Sequence, residues 1–546
     1  MKVTQNSEIL HSSYAAEALQ WNARMSLVPG AIKAVPSSDI SRLPNELFCE
    51  IFKHFISQRP RDKFRITLTH VCRRWRIIAI SVHELWACPD FHVPELAKEM
   101  LKRSGQAPLH IYYTHYEHSG YFKIPPREVL LARLEPLLEA LSHSPRLETV
   151  ELNIPSDPLE ELLESGWIDI QAAPSLRSLV LTSDSFDLPP NFLGGGAPLL
   201  KDLMLDGCGL VYNSPILQNL TSLRISRDRD ITEFEARLCE ALVFTPMLEV
   251  LYLDEIYGSA PEDIPITNLP KLHRLIMKCS GLSCVDLFNH ISFPDTATVE
   301  ITVSDTDLPQ EATTAALTEF WSDVAEVWSP NFCPGYERVM KTLSVDGGDD
   351  DTEITSLTLR TWRTALPFDF SIDDHPRYRP NVSIQINWAE ERSFRDCGNP
   401  KFFEKVFKAA FRALPLSTVG TMHLGTFPVV WNQFLHCDDE SELLLKAFVP
   451  YMGSSHLRNL VLDGSRCAEC LPKLLEYPGL DLPLPALETL VLIDPLLCES
   501  SVERLYECLQ SRAQEMMLQT LVVVGAGGET INRLRTVVEE MESEET

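Results

Sequence analysis

Basic residues are the scarcer charge in this 546-residue sequence: 48 Lys and Arg stand against 77 Asp and Glu, for a formal net charge of −29. A chain of that sign has little to offer a phosphate backbone or an anionic lipid surface, so no nucleic acid and no membrane is expected as main partner. Long hydrophobic runs are missing as well, since no stretch approaches the ~18 uninterrupted apolar residues of a membrane span. The opening MKVTQNSEILHSS has no apolar segment after Lys2 to serve as a secretory leader. The expectation is a soluble intracellular protein, cytoplasmic or nuclear. Cysteine is sparse, 14 in the chain with no regular spacing, which excludes a disulfide scaffold. One CxxC occurs, Cys467 and Cys470, but no second CxxC or HxxxH answers it to complete a tetrahedral zinc site.

Catalytic signatures are missing too. The sequence holds no GxSxG, no phosphate-cradling GxxxxGK[ST] and no HExxH. The string LVVVGAGGETINRL (521–534) has the outline of a dinucleotide site, a strand leading into Gly525, Gly527 and Gly528. Thr530 stands where the third glycine belongs, and no suitable acid follows outside the terminal tail, so a plain turn is the simpler reading. The acidic run Asp346, Asp349, Asp350 and Asp351 lacks the ligand order and closing Glu of an EF-hand and reads as a solvated loop. The expectation is therefore no metal, no cofactor and no enzyme.

What is present is a globular composition, 45% hydrophobic and 8% aromatic, long enough for about three to five domains or one extended repeat array. Residues 41–90 differ from the rest: nine Lys and Arg against five Asp and Glu, leaving about −33 on the remainder. Ser41 and Pro44 read as a helix start with Glu46 in the first turn. Leu47, Ile51 and Phe55 follow at i, i+4 and i+8, flanked by Phe48 and Phe52. The run ITLTHVCRRWRIIAISVHELW puts Leu68, Val71, Cys72, Trp75, Ile78 and Ala79 at helical spacing, with Arg73, Arg74 and Arg76 on the other side. Two short amphipathic helices make a small core, and such a module needs a partner to cover its remaining apolar face.

At Leu43-Pro44, Glu46-Leu47, Ile51-Phe52, Val71-Cys72-Arg73-Arg74-Trp75-Arg76, Ala79 and Leu85-Trp86 the chain resembles the F-box family. VCRRWR with HELW, then Leu101-Lys102-Arg103-Ser104-Gly105 and Pro108-Leu109, is similar to the large fungal set of F-box proteins. The resemblance covers about a tenth of the chain. It implies a three-helix motif that docks on the Skp-type adaptor of a cullin-RING ubiquitin ligase. Leu43, Pro44, Leu47, Ile51, Val71, Trp75, Ile78, Leu85 and Trp86 would then be the adaptor contacts and the core beneath them.

A second pattern runs through the body. Apolar residues recur at +0, +3 and +5: Leu147, Val150, Leu152; Leu176, Leu179, Leu181; Leu200, Leu203, Leu205; Leu220, Leu223, Ile225; Leu248, Leu251, Leu253; Leu272, Leu275, Met277. Later sets start at Ile354, Leu457, Leu487 and Leu518. The first six starts are 20 to 29 residues apart, the range of leucine-rich repeats, which this part of the chain resembles. On a strand, +3 and +5 point into the core while +2, +4 and +6 point out. Runs such as 132–144 and 235–244 supply helices between strands, and each unit buries its face only against its neighbours.

The fold class expected is α/β: a small all-α F-box motif followed by a leucine-rich-repeat α/β solenoid, or horseshoe. Its parts are a flexible lead over 1–40 with a short helix around Ala15 to Met25, an F-box over 41–90, and repeats over 91–530. Irregular insertions fall near 283–340 and 361–415, the motif being weak near 296–301, and a C-terminal helix and acidic tail occupy 531–546.

The function expected is a non-catalytic substrate receptor of an SCF-type ubiquitin ligase, with an unidentified target protein as second partner. The alternative is a leucine-rich-repeat scaffold acting without ubiquitination. The outward +4 position reads Val180, Met204, Arg224, Tyr252, Ile276, Thr358, Val461, Val491 and Val522, too apolar for a solvent-facing stripe. The terminal helix can cover only nearby strands, so Met204, Arg224, Tyr252 and Ile276 are the expected target-binding residues.

Overall fold

A computed structural model of the chain describes residues 39–58, 64–115, 127–156, 172–189, 192–193, 196–209, 214–228, 234–256, 266–279, 290–294, 296–305, 340–350, 353–366, 379–388, 418–424, 456–463, 484–493, 499–525 and 532–544. The expected lead with its helix at 15–25 and the Cys467–Cys470 pair lie outside these residues. Two compact units divide between Leu85 and Trp86.

The first unit is helical: α1 (Asn45–Gln58), α2 (Phe64–Val71) and α3 (Arg73–Ser81), with a 3-10 turn on either side. Pro44 precedes α1, and Glu46 sits in its first turn, where an acid suits the helix N-terminus. The run expected as one helix is two. Cys72 is extended (φ −159°, ψ 170°) and its Sγ accepts from the Trp75 N–H at 3.4 Å, capping α3. Leu68 on α2 and Ile78 on α3 are both buried.

The second unit opens with α4 (Pro94–Ser104), which has Pro at its start, Lys102 and Arg103 in its last turn, and Gly105 at φ +56° as its stop. The elements that follow are β1 (Leu109–Thr114), α5 (Arg127–Ser142), β2 (Leu147–Asn153), β3 (Ser178–Asp187), β4 (Asp202–Gly209), β5 (Ser222–Asp228), α6 (Phe234–Leu242), β6 (Val250–Ile256), β7 (Thr267–Asn268), β8 (Arg274–Cys279), β9 (Ile291–Ser292) and β10 (Thr298–Asp305). After them come β11 (Thr342–Asp350), β12 (Glu353–Trp362), β13 (Val382–Trp388), β14 (Thr421–Leu424), β15 (Asn459–Asp463), β16 (Thr489–Ile493), α7 (Glu499–Ala513), β17 (Leu518–Val524) and β18 (Val538–Glu544). Sixteen strands make one sheet in the order β1-β2-β3-β4-β5-β6-β8-β10-β13-β12-β11-β14-β15-β16-β17-β18, while β7 and β9 pair separately.

From β1 to β10 every neighbouring pair in this sheet is parallel. The register lines up Val150, Leu179, Leu203, Leu223, Leu251, Leu275 and Val299 in one buried row. Leu152, Leu181, Leu205, Ile225, Leu253, Met277 and Ile301 form the next, so the +3 and +5 positions share one face. Several strand starts repeat one hydrogen-bond device, in which a carbonyl accepts two successive N–H groups at the start of the next strand. The Lys201 carbonyl takes Thr221 and Ser222, Thr221 takes Glu249 and Val250, and Glu249 takes His273 and Arg274. Ahead of it a turn closes from the +0 leucine to the carbonyl three residues back, as in Leu200 to Ala197 and Leu248 to Thr245.

Four sequence expectations need correction. Residues 296–301, read as weak, lie at the regular strand β10, because Val299 and Ile301 fill the leucine positions with β-branched side chains suited to a pleated surface. Ile354, Leu357 and Leu359 belong to a strand that runs backwards: β12 is antiparallel to both β11 and β13, and Leu357 and Leu359 stand opposite Ile386 and Ile384. Strand periodicity is the same in both directions, so the spacing alone carries no polarity. Asp346, Asp349 and Asp350 lie on β11 rather than in a loop, paired with Thr358, Ile354 and Glu353. The expected terminal helix is β18, paired parallel to β17 with Val538 opposite Leu518 and Met541 opposite Leu521. The sheet edge offers that segment a ladder and a buried apolar contact that an acidic helix lacks.

A fifth correction concerns the outward face. Thr358, Val461 and Val491 are buried, the two valines at 1% and 2% exposure, whereas Val180, Met204, Tyr252 and Ile276 are only half-buried. Over β14 to β16 both faces of the sheet are covered. NLVLD and TLVLI carry unbroken apolar runs, as strands buried on both sides require, whereas TMHL alternates as SLRISRD in β5 does and yet has all four residues buried.

The same register position therefore has opposite tolerance in the two regions. Val461→Asp, which buries a charge, should cost about 3 kcal/mol or more and deplete soluble protein. Met204→Asp should shift the urea midpoint little. Equilibrium unfolding of the two variants beside the parent checks this.

Candidate functional site

The first unit gathers three aromatic rings between α1 and α3. Ring centroids are 6.0 Å apart for Phe48 and Phe52, 5.4 Å for Phe48 and Trp75, and 5.2 Å for Phe52 and Trp75, in tilted or edge-on arrangements. Phe48 and Phe52 are one turn apart on α1 and fully buried. Leu47, Ile51 and Phe55, the neighbouring row of the same helix, face out, Leu47 and Ile51 at 48% exposure each. One helix thus carries two apolar rows, and only one of them is used inside the unit.

Of the nine expected adaptor residues, Pro44, Leu47, Ile51 and Val71 lie at the surface, Val71 at 55% exposure. Leu43 and Trp75 are half-buried. Ile78, Leu85 and Trp86 are core residues, Trp86 lying in the second unit with the Arg103 guanidinium 4.6 Å from its ring centroid. The sequence reading missed Ile40, Ile77 and Ile80 as exposed apolar side chains. A signal was present: Ile77, Ile78, Ala79 and Ile80 are consecutive, and four apolar residues in a row encircle a helix, so one packed face cannot hide them all.

The arginines also need correction. Arg73 is exposed, but Arg74 and Arg76 reach inward. Arg74 donates from Nε and Nη2 to Asn45 Oδ1 at 3.0 and 2.8 Å and from Nη2 to the Leu43 carbonyl, with its guanidinium 4.9 Å from the Phe48 ring centroid. It clamps the Leu43-Pro44-Asn45 segment onto α3. Arg76 Nε donates to the Thr69 carbonyl at 2.8 Å and bridges the break between α2 and α3. Lys53 pairs with Glu84 at 2.9 Å. That hydrogen bond raises the lysine pKa, and from the other side it lowers the carboxyl pKa of Glu84.

In the second unit Met204, Arg224, Tyr252 and Ile276 occupy one register row on the adjacent strands β4, β5, β6 and β8. The Tyr252 hydroxyl donates to Asp254 Oδ2 at 2.6 Å, and its ring has the Lys278 ammonium 5.5 Å and the Arg224 guanidinium 6.0 Å from its centroid. Burial, with the Asp254 hydrogen bond behind it, raises the phenol pKa, so Tyr252 stays neutral. Hydrogen bonding to Tyr252 raises the Lys278 pKa.

Because Arg74 holds Pro44 and Asn45 in place, Arg74→Ala should destabilise the first unit by about 1 to 3 kcal/mol, the worth of hydrogen bonds to a charged group. Thermal unfolding of the parent, Arg74→Ala and Arg73→Ala should show the loss in the first variant and almost none in the second.

No curated protein matches the chain. Residues 40–92 match the family F-box-like, so the three helices, the turn after them and the exposed row on α1 carry an F-box-like domain.

Proposed function

We propose that the chain is the substrate-recognition subunit of an SCF-type ubiquitin ligase, its F-box-like domain docking a Skp-type adaptor and, through it, a cullin-RING assembly. The observation that carries this is the unused apolar row Leu47, Ile51 and Phe55 of α1, with Pro44 just before the helix, in a segment that matches the F-box-like family. A stable small unit exposes such a row where a partner covers it. The resemblance of the sequence to the large fungal F-box set supports the same reading.

The second unit is a leucine-rich-repeat solenoid in this reading, supported by intervals of 20 to 29 residues between leucine sets and by their in-register rows. Its outward row at Met204, Arg224, Tyr252 and Ile276 takes the target protein. The work is done in the cytoplasm or nucleus. No side chain of this chain performs chemistry. The rate gain comes from holding the target beside the ubiquitin-charged enzyme, at an effective concentration that for short tethers is around millimolar.

Truncation of the exposed row tests the docking. Leu47→Ala with Ile51→Ala should weaken binding to a purified Skp-type adaptor about 10- to 100-fold, as loss of central apolar anchors does, with the melting temperature retained. Calorimetric titration with folded protein gives the answer, and unchanged affinity would remove α1 from the interface. Ubiquitination of a bound target that vanishes in the same variant separates a ligase receptor from a scaffold.

A further inference from the structure

We propose that the outward face around Arg224 selects a peptide segment bearing one carboxylate side chain flanked by apolar residues. This rests on the reading of that face as the target surface and adds the chemistry of what it takes.

Val180, Met204, Arg224, Tyr252 and Ile276 stand side by side on five neighbouring strands. At ~4.8 Å per strand the row is about 19 Å long, the reach of roughly six extended residues. Four of its five members are apolar or aromatic, and the exception is at the centre.

The cations around Tyr252 differ in what they already hold. Lys278 Nζ lies 3.5 Å from Asp254, and Arg274 lies 2.9 Å from Glu300. Arg224 is exposed, its described contact is the Tyr252 ring, and no carboxylate among the described residues forms an ion pair with it. Its guanidinium donors are therefore available, in the fork geometry that takes a carboxylate through two parallel hydrogen bonds. Tyr252 is the anchor beside it. Its hydroxyl is fixed on Asp254 and its ring is flanked by Lys278, so little side-chain freedom is lost when a ligand packs on it.

The surroundings favour a single negative charge. Asp202 and Asp206 stand in register with Ser222 and Ser226, the residues two before and two after Arg224 on its own strand, and Asp254 stands in register with Ser226 from the other side. One carboxylate balances Arg224. The second charge of a phosphate would face these carboxylates, and among the described residues Lys278 and Arg274 are already held by Asp254 and Glu300. Apolar side chains on either side of the acid would lie over Val180 and Met204 in one direction and over Tyr252 and Ile276 in the other.

Selection of a random peptide library on phage against the full chain tests this, followed by fluorescence polarisation with synthetic copies of the enriched peptides. Enriched peptides should carry Asp or Glu between apolar residues, and exchange of that acid for its amide should weaken binding about tenfold or more. Arg224→Glu should lose the acidic peptide by a similar factor and gain its Lys analogue, and Tyr252→Ala should lose both, with melting temperatures unchanged. If enriched peptides are indifferent to the acid and to Arg224→Glu but are lost with Tyr252→Ala, the face stands and the carboxylate class is overturned. A phosphoserine version that binds tighter than the Glu peptide overturns the class as well. Peptides indifferent to both variants overturn the face itself.

Discussion

The second unit depends on one constraint, that each parallel strand places its apolar side chains in the same two rows as its neighbours. Leu203 is in register with Leu179 on one side and Leu223 on the other, and a shift by one residue would turn the whole set to the opposite face. A carbonyl shared by two successive N–H groups, as at the starts of β4, β5, β6 and β8, holds that register in the backbone. Close packing follows from it: at the end of β4 the register brings Gly207, at φ +65°, so near β3 that a Cβ would meet the Ser183 carbonyl oxygen at 2.2 Å. With inward positions committed to neighbours, outward positions are free to vary, and functional chemistry can sit there.

The sheet then changes character. At β11 to β13 the chain runs through an antiparallel meander, and β13 returns to pair with β10 while β11 pairs with β14. Before this point the outward row is half-exposed. Beyond it Val461 and Val491 are buried on the outward face as well. In the β3 to β10 region Met204, Arg224, Tyr252 and Ile276 lie together on an accessible surface of mixed apolar and charged residues, and at β17 the outward Val522 is half-buried again.

The first unit solves a different problem. Three short helices enclose few residues, and the aromatic trio Phe48, Phe52 and Trp75 packs α1 against α3. The arginines that look like a solvated face are partly structural: Arg74 and Arg76 tie the segment before α1 and the end of α2 to α3. The outward apolar row Leu47, Ile51 and Phe55 is unusual for a free-standing unit. It is consistent with a surface that is completed by another protein.

Much of this was legible in the sequence because it depends on local periodicity. The rows of the sheet, the helix at 234–242, the apolar row Leu47, Ile51 and Phe55, and the F-box-like segment all follow from spacings of two or of three to four residues, which backbone geometry imposes. The apolar runs of β15 and β16 mark their doubled burial, whereas the alternating TMHL of β14 gives no sign of it. Tertiary structure alone decided the rest. Strand direction at β12 leaves no trace in a period of two, so Ile354 to Leu359 looked like one more parallel strand. An acidic segment such as 538–544 becomes a strand only because β17 presents an open ladder to it. Whether Arg74 points to solvent or to Asn45, and whether Arg224 finds a carboxylate, are settled by residues distant in sequence. Such contacts are set by which elements meet, and no local pattern encodes that.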